Sequence, residues 1–349
     1  MRTVRIHAPH DLRIEDEPDD ALKDGQVEIA VQVGGICGSD LHYYHHGGFG
    51  SVRLREPMIL GHEVAGIARA VGPKVTDVKV GDLVAVNPSR PCGACDFCQR
   101  GLQNHCRNMM FYGSAMRNPH VQGAFRERLI AEDWQCFVLP ADASPFAAAM
   151  AEPFSVALHA VDRAGPLIDR RVLVTGSGPI GALTVLAARL HGAREIVATD
   201  VIDAPLAKVA KIGADRALNV ASDPGAMADY AAGKGTFDVM FEASGNAAAL
   251  AGGMAALKPR GILVQVGLGG TMAVPQDLVV ARELDIRGSF RFVQEFGLAV
   301  ALIASGRADV RPLVTQEFSF EKAIDAFEIA GDRTRSMKVQ LVFSDRAGR

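Results

Sequence analysis

No run of about 18 uncharged apolar residues occurs in this chain of 349 residues, so no membrane-crossing helix is expected. A basic surplus is missing too. Lys and Arg number 37 against 40 Asp and Glu, and the net charge of -3 argues against nucleic acid or an anionic membrane as partner. Collagen-like tracts, solenoid repeats and low-complexity linkers are absent. The opening residues turn acidic early and hold no apolar signal core, so a cytoplasmic location is expected. What remains is a globular composition, 48% hydrophobic and 22% charged, in a chain long enough for two domains.

Cysteines are few but crowded. Four of the six, Cys92, Cys95, Cys98 and Cys106, fall within fifteen residues, and Cys37 and Cys136 stand apart. In a reducing compartment such clustering signals metal binding rather than disulfides. Four thiolates fill a tetrahedral zinc shell and leave no open position, which describes a structural site. A nucleic-acid-binding zinc ribbon conflicts with the charge, and an iron–sulfur cluster ranks lower without being excluded by spacing. Cys136 reads as a buried small hydrophobe.

Texture divides the chain. In the first 150 residues, Val27, Ile29, Val31 and Val33 alternate as in a half-buried strand, and Gly72-Pro73 and Gly81-Asp82 mark turns, which suggests a β-rich meander. After residue 155, strand candidates at Arg171–Thr175, Glu195–Thr199, Phe237–Glu242, Ile262–Val266 and Leu284–Gly288 alternate with helical patterns, the order of a doubly wound parallel sheet in an α/β protein.

Between the first strand and helix of that series lie Gly176, Gly178 and Gly181, with Pro179 and Ile180 opening the helix. The first glycine permits the tight turn, the second lets backbone approach a pyrophosphate, and the third allows close helix–strand packing. The helix N-terminus then offers free N–H groups to phosphate. Asp200 ends the second strand, 19 residues beyond Gly181, where a carboxylate accepts from ribose hydroxyls and repels a 2′-phosphate. The next residues, Val201-Ile-Asp-Ala-Pro, supply no arginine, so NAD is expected over NADP.

A second metal set is more scattered. Cys37, His62-Glu63 and Glu152 together offer one thiolate, one imidazole and two carboxylates. A catalytic zinc takes about three protein ligands and keeps a position open. The expected shell is Cys37, His62 and a glutamate, with the choice between Glu63 and Glu152 open. Ser39, two residues beyond Cys37, is placed to accept a proton. Asp40 either orients the His62 ring or caps a helix. Tyr43, Tyr112 and His45 are candidate pocket residues, and Arg117 a candidate cation for a carboxylate.

The strings GICGSDLH, GHE, the four-cysteine lobe and GSGPIG, spread almost end to end, resemble the zinc-containing medium-chain alcohol and polyol dehydrogenases. Glu152 stands where the alcohol dehydrogenases place a second cysteine, which is similar to the sorbitol dehydrogenase group. The longer strings GGICGSDLHYYHHG, NPSRPCG, FYGSAM, PHVQGAF and GSFRF followed by EF resemble its idonate 5-dehydrogenase branch. That resemblance implies a GroES-like catalytic domain over residues 1–155, a Rossmann NAD-binding domain over 156–294, and a return of 295–349 to the catalytic domain. It implies two zinc ions per subunit and a homo-oligomer, dimer or tetramer. It implies a proton relay from Ser39 to His42, and an arginine, here Arg291, beside the substrate hydroxyls. The implied reaction is NAD-linked oxidation of a secondary alcohol on a sugar acid, L-idonate to 5-keto-D-gluconate and back. Sorbitol or xylitol oxidation is the alternative, although Phe292 replaces a tyrosine usual in sorbitol dehydrogenases. A nucleotide-binding protein that has lost its chemistry is the alternative from another class.

Overall fold

The structure is a computed structural model that describes residues 1–343. The chain divides into two compact units, Met1–Glu152 with two later segments, and Pro153–Glu295 with Arg333–Met337.

The first unit is a β-meander. Strand β1 (Gln26–Gly35) buries Val27, Ile29, Val31 and Val33 on one face, the alternation that the sequence displays. It pairs antiparallel with β2 (Glu63–Val71) on one side, β2 pairs with β3 (Leu83–Val86), and β4 (Arg128–Glu132) also joins β1. Strand β5 (Cys136–Leu139) closes on β3. Helix α1 (Gly38–His46) leaves the end of β1 at once. Cys37 is its N-cap, and Gly47 at φ +65° ends it by donating back to His42 and Tyr43. The core gathers Ile29, Val64, Tyr43 and Phe125 among others. The four-cysteine lobe loops out between β3 and β4 around one helical turn, Asp96–Gln99.

Helix α2 (Ala151–Ala164) begins in the first unit and runs on into the second. There β6 (Arg171–Thr175), β7 (Glu195–Asp200), β8 (Arg216–Asn219), β9 (Phe237–Glu242), β10 (Leu257–Gln265) and β11 (Asp285–Gly288) form one sheet. Its order is β8-β7-β6-β9-β10-β11, parallel throughout, with helices such as α3 (Pro179–Leu190) crossing between strands. Strand β10 starts five residues before the expected Ile262. Pro259 and Gly261 look like a turn, yet Leu257 pairs with Phe237 and the register shifts before Val239 and Ile262 meet. Leu173, Val197, Met240 and Leu263 fill this core.

Helix α4 (Glu295–Ala304) leads the chain back. Two further strands, β12 (Val314–Ser319) and β13 (Lys338–Val342), complete the first unit's sheet as β5-β3-β2-β1-β13-β12. They are parallel to each other, so the chain between them needs a crossover, and helix α5 (Ala323–Gly331) supplies it. Gln340 pairs with Gly35, which brings Lys338 down beside the turn after β1. Between α5 and β13, Arg333–Met337 belong with the second unit. No helix among the described residues is long and apolar enough to cross a membrane.

Candidate metal and dinucleotide sites

Two loops converge at one end of the first unit's sheet. One joins β1 to α1 and carries Cys37; the other precedes β2 and carries Gly61, His62 and Glu63 at its end. The ligand atoms of Cys37, His62 and Glu63 all lie within 4.8 Å of one another. Glu152, at the start of α2, is buried and interacts electrostatically with His62, Glu63 and Cys37, but it is not in that close group.

Asp40 ties the loops together. Its fully buried carboxylate accepts from the Cys37 N–H at 3.0 Å and from the Gly61 N–H at 3.2 Å, and Oδ1 stands 3.9 Å from His62 Nδ1. Of the two roles suggested for Asp40, the structure shows the capping of α1; the His62 ring stands at a separation longer than a hydrogen bond. Glycine is required here for space. A Cβ on Gly35 would lie 2.1 Å from Glu63 Oε2, and one on Gly61, at φ +91°, would strike the Phe125 ring.

Sequence reasoning missed one member, Lys338. Its Nζ donates to both Glu63 oxygens at 2.8 Å and to the Ile36 carbonyl at 3.1 Å. Burial opposes its charge, but Glu63, Cys37 and Glu152 outweigh that and raise its pKa. No local motif announces it, because 275 residues separate the pair.

The donor set fits a divalent cation. Burial, with Glu63 beside it, pushes the Cys37 thiol up to about 12; burial likewise pushes Glu152 up to about 8. His62 Nδ1 is buried and makes no hydrogen bond among the described residues. The Cys37 thiol and the Glu152 carboxyl, which resist ionising in the dry interior, are groups whose charged forms a bound cation stabilises.

Ser39 and His42 lie three residues apart on α1, a spacing that places them on one side of the helix. Burial, then the neighbouring His46 and His45, hold the His42 imidazole below its ordinary pKa. Tyr43 is fully buried and its hydroxyl accepts from the Ala115 N–H at 3.0 Å. Tyr112 is buried as well, with its hydroxyl directed at the Ile130 carbonyl and its pKa pushed up to about 12 by burial. Both tyrosines serve as struts in the core. His45 packs on His10 and Tyr44, and Arg117 is exposed. Arg291 belongs to the second unit, at φ +54°, with its guanidinium 5.0 Å from the Phe290 ring.

In the outer lobe Cys92, Cys95, Cys98 and Cys106 also bring their sulfurs within 4.8 Å of one another, and all are free thiols. Cys95 Sγ stands 3.6 Å from Cys98 Sγ and 4.0 Å from Cys106 Sγ. A tetrahedral shell with zinc–sulfur bonds of about 2.3 Å has edges of roughly 3.8 Å, so the spacing fits zinc. Backbone N–H groups of Cys92 and Asn108 point at Cys106 Sγ. Similar donors from Ala94 and Cys95 lower the Cys92 thiol to about 6, while burial pushes Cys98 up to about 12.

The second unit presents its glycine turn between β6 and α3. Gly176 takes φ +84°, and a Cβ there would meet Ser244 at 2.7 Å. A Cβ on Gly181 would lie 1.8 Å from the Gly176 carbonyl oxygen, whereas one on Gly178 meets nothing within 4 Å. The first and third glycines are therefore fixed by packing, and the second opens onto space that a pyrophosphate would use. Pro179 occupies the first turn of α3, where its missing N–H costs nothing, and Ile180 follows, half-buried. Asp200 sits at the end of β7 beside this turn. Its Oδ2 accepts from the Ser177 N–H at 2.7 Å, and its Oδ1 from Val201 at 2.7 Å and Ile202 at 3.2 Å. Glu242, which the sequence did not single out, ends β9. It accepts from the Ser244 and Gly245 N–H groups and from the Gln265 amide, and so shapes the neighbouring turn.

Known proteins resemble the chain along its length. Residues 23–141 match the alcohol dehydrogenase GroES-like domain, and residues 179–305 match the zinc-binding dehydrogenase family. The L-idonate 5-dehydrogenase (NAD(P)(+)) of Escherichia coli is 43% identical over 316 residues, 90% of this chain and 91% of that protein. Human sorbitol dehydrogenase is 36% identical over 327 residues, 93% of this chain and 90% of that protein. The crystal structure of L-idonate 5-dehydrogenase from E. coli superposes with a TM-score of 0.94 at 40% identity, covering 98% of both chains.

Proposed function

Since the chain belongs to the zinc-dependent medium-chain alcohol dehydrogenase family, we propose that it oxidises a secondary alcohol of a sugar acid with NAD. L-idonate is the substrate and 5-keto-D-gluconate the product, and the ketone is reduced by NADH in the reverse direction. The observation that carries the chemistry is the convergence of Cys37, His62 and Glu63 on one buried point. Resemblance to the E. coli enzyme over nine-tenths of the chain supports the choice of sugar acid.

A zinc ion in that site supplies Lewis acidity that acidifies an alcohol near neutral pH, and NAD supplies the hydride acceptor. The protein's own residues do the rest. Cys37, His62 and Glu63 hold the ion, and Glu152, buried within electrostatic reach of all three, is the alternative carboxylate. Asp40 fixes the backbone of both ligand loops, and Lys338 balances the Glu63 charge. Ser39 Oγ takes the departing proton, and the His42 imidazole, whose pKa burial and then His46 and His45 hold below its ordinary value, passes it outward. The family resemblance is the ground for giving Arg291 the acid or its hydroxyls, and Tyr43 and Tyr112 stiffen the core of the first unit. The outer lobe holds a structural zinc on its four sulfurs. At the dinucleotide turn, Gly176, Gly178, Pro179, Ile180 and Gly181 receive the pyrophosphate and Asp200 the adenosine ribose.

The same reading makes the protein a cytoplasmic homo-oligomer. Six free thiols suit a reducing compartment. Strand β11 is the outer strand of its sheet and carries Ile286 exposed, with Val280 and Phe290 exposed nearby, an edge that invites a second copy.

Rates on L-idonate, sorbitol and xylitol with both coenzymes, and on 5-keto-D-gluconate with NADH, test this. The expected ranking puts L-idonate first. A faster turnover of sorbitol or xylitol would assign the polyol reaction instead, and no turnover of any by the two-zinc protein would leave a binding protein.

A further inference from the structure

Asp200 ought to repel a 2′-phosphate, and the residues that follow it supply no compensating cation. The fold supplies one from 133 residues further on: Arg333 Nη2 donates to Asp200 Oδ2 at 2.6 Å. Both residues lie in the second unit. We infer that Arg333 sets coenzyme choice in this enzyme: it screens Asp200 and offers its guanidinium to a 2′-phosphate, so that a site built for NAD also takes NADP.

The arrangement carries this in three ways. First, Asp200 does not need Arg333 to hold its place. Three backbone N–H groups, from Ser177, Val201 and Ile202, already fasten both carboxylate oxygens. Second, Arg333 is poorly used as a structural residue. A guanidinium has five N–H donors, and Asp200 is its one hydrogen-bonding partner among the described residues. Its side chain is 49% exposed, while that of Asp200 is 2% exposed. The carboxylate is therefore the buried floor, and the arginine reaches it from the solvent side with donors to spare. Third, the chemistry matches. A planar guanidinium binds phosphate oxygens in pairs, and does so with charge-assisted bonds that a ribose hydroxyl cannot equal. With NAD, the ribose hydroxyls donate to Asp200 and the ion pair persists. With NADP, the guanidinium transfers its donors to the phosphate, and its charge offsets the repulsion from Asp200.

This rests on the reading that places a dinucleotide at the Gly176–Gly181 turn, and the test separates the two. The full-length protein and its Arg333→Ala and Arg333→Lys variants are titrated with NADH and NADPH by nicotinamide fluorescence, and with 2′,5′-ADP as competitor. Loss of one charge-assisted phosphate contact is worth about tenfold or more. Arg333→Ala is expected to weaken NADPH and 2′,5′-ADP by about that factor or more, and NADH by roughly threefold at most. Arg333→Lys, which keeps the charge without the fork, is expected to fall between. Equal weakening of NADH and NADPH in Arg333→Ala, or no weakening of NADPH, overturns the inference while leaving the dinucleotide reading intact. Failure of the unaltered protein to bind either dinucleotide overturns the reading itself. An unchanged melting temperature in Arg333→Ala is expected, because the backbone donors keep Asp200 in place.

Discussion

The Lys338 ammonium stands 2.8 Å from each carboxylate oxygen of Glu63, and both side chains are almost wholly withdrawn from solvent. Removing one partner of a buried pair strands the other charge and costs about 3–5 kcal/mol. Lys338→Met is expected to lose about that much stability, read as a lower urea midpoint in metal-replete protein. Compared in metal-free protein, where Glu63 holds no ion, Lys338→Met combined with Glu63→Gln is expected to recover most of what Lys338→Met loses there. A single variant that unfolds at the wild-type midpoint would show the pair to be energetically idle.

Cys37→Ser is expected to reduce the zinc content from two ions per chain to one and to abolish turnover. NADH binding should persist, since the glycine turn belongs to the second unit. Metal analysis and NADH titration on the same sample check both halves, and unaltered turnover would refute the role given to Cys37.

The glycine turn offers a paired experiment. Gly178→Ala adds a methyl into open space and should fold normally while binding NADH about tenfold more weakly or worse, because the methyl meets the pyrophosphate. Gly181→Ala drives a methyl to 1.8 Å from the Gly176 carbonyl and should cost stability directly, by about 1–3 kcal/mol. Melting curves and NADH titrations distinguish them. Equal losses of stability in the two variants would contradict the division of labour.

Acid stability should depend on Glu295. Burial opposes its ionisation, but the hydrogen bonds from the His159 ring at 2.9 Å and the Val293 N–H at 2.7 Å outweigh it, and its pKa falls below the ordinary 4.5. A carboxyl with a depressed folded pKa stabilises the fold fully above its unfolded pKa, and that contribution fades as pH falls through the lower folded value. Glu295→Gln is therefore expected to flatten the stability curve between about pH 5 and pH 3. Denaturant midpoints across that range measure it; an identical slope in both proteins would dismiss the pair.

Much of this was legible in local pattern. The alternation at Val27–Val33, the glycines at 176–181 and the cysteine spacing at 92–106 are short-range signals, and the chain folds each as its period or spacing demands. What escaped was long-range or disguised. Lys338 and Arg333 look like ordinary charges of the tail, and only the crossover that brings β13 beside β1 gives the first its partner. The onset of β10 was hidden because Pro259, Gly261 and the left-handed Arg260 imitate a turn inside a pairing strand. Tyr43 reads from its position as a pocket residue, but the inward side of α1 takes it into the core.

The stretch from Arg333 to Lys338 gives the tail an outsized hold on the enzyme. Five positions apart, one cation serves the carboxylate at residue 200 and the other the carboxylate at residue 63. A single inserted or deleted residue between them would put at least one of these two ion pairs out of step.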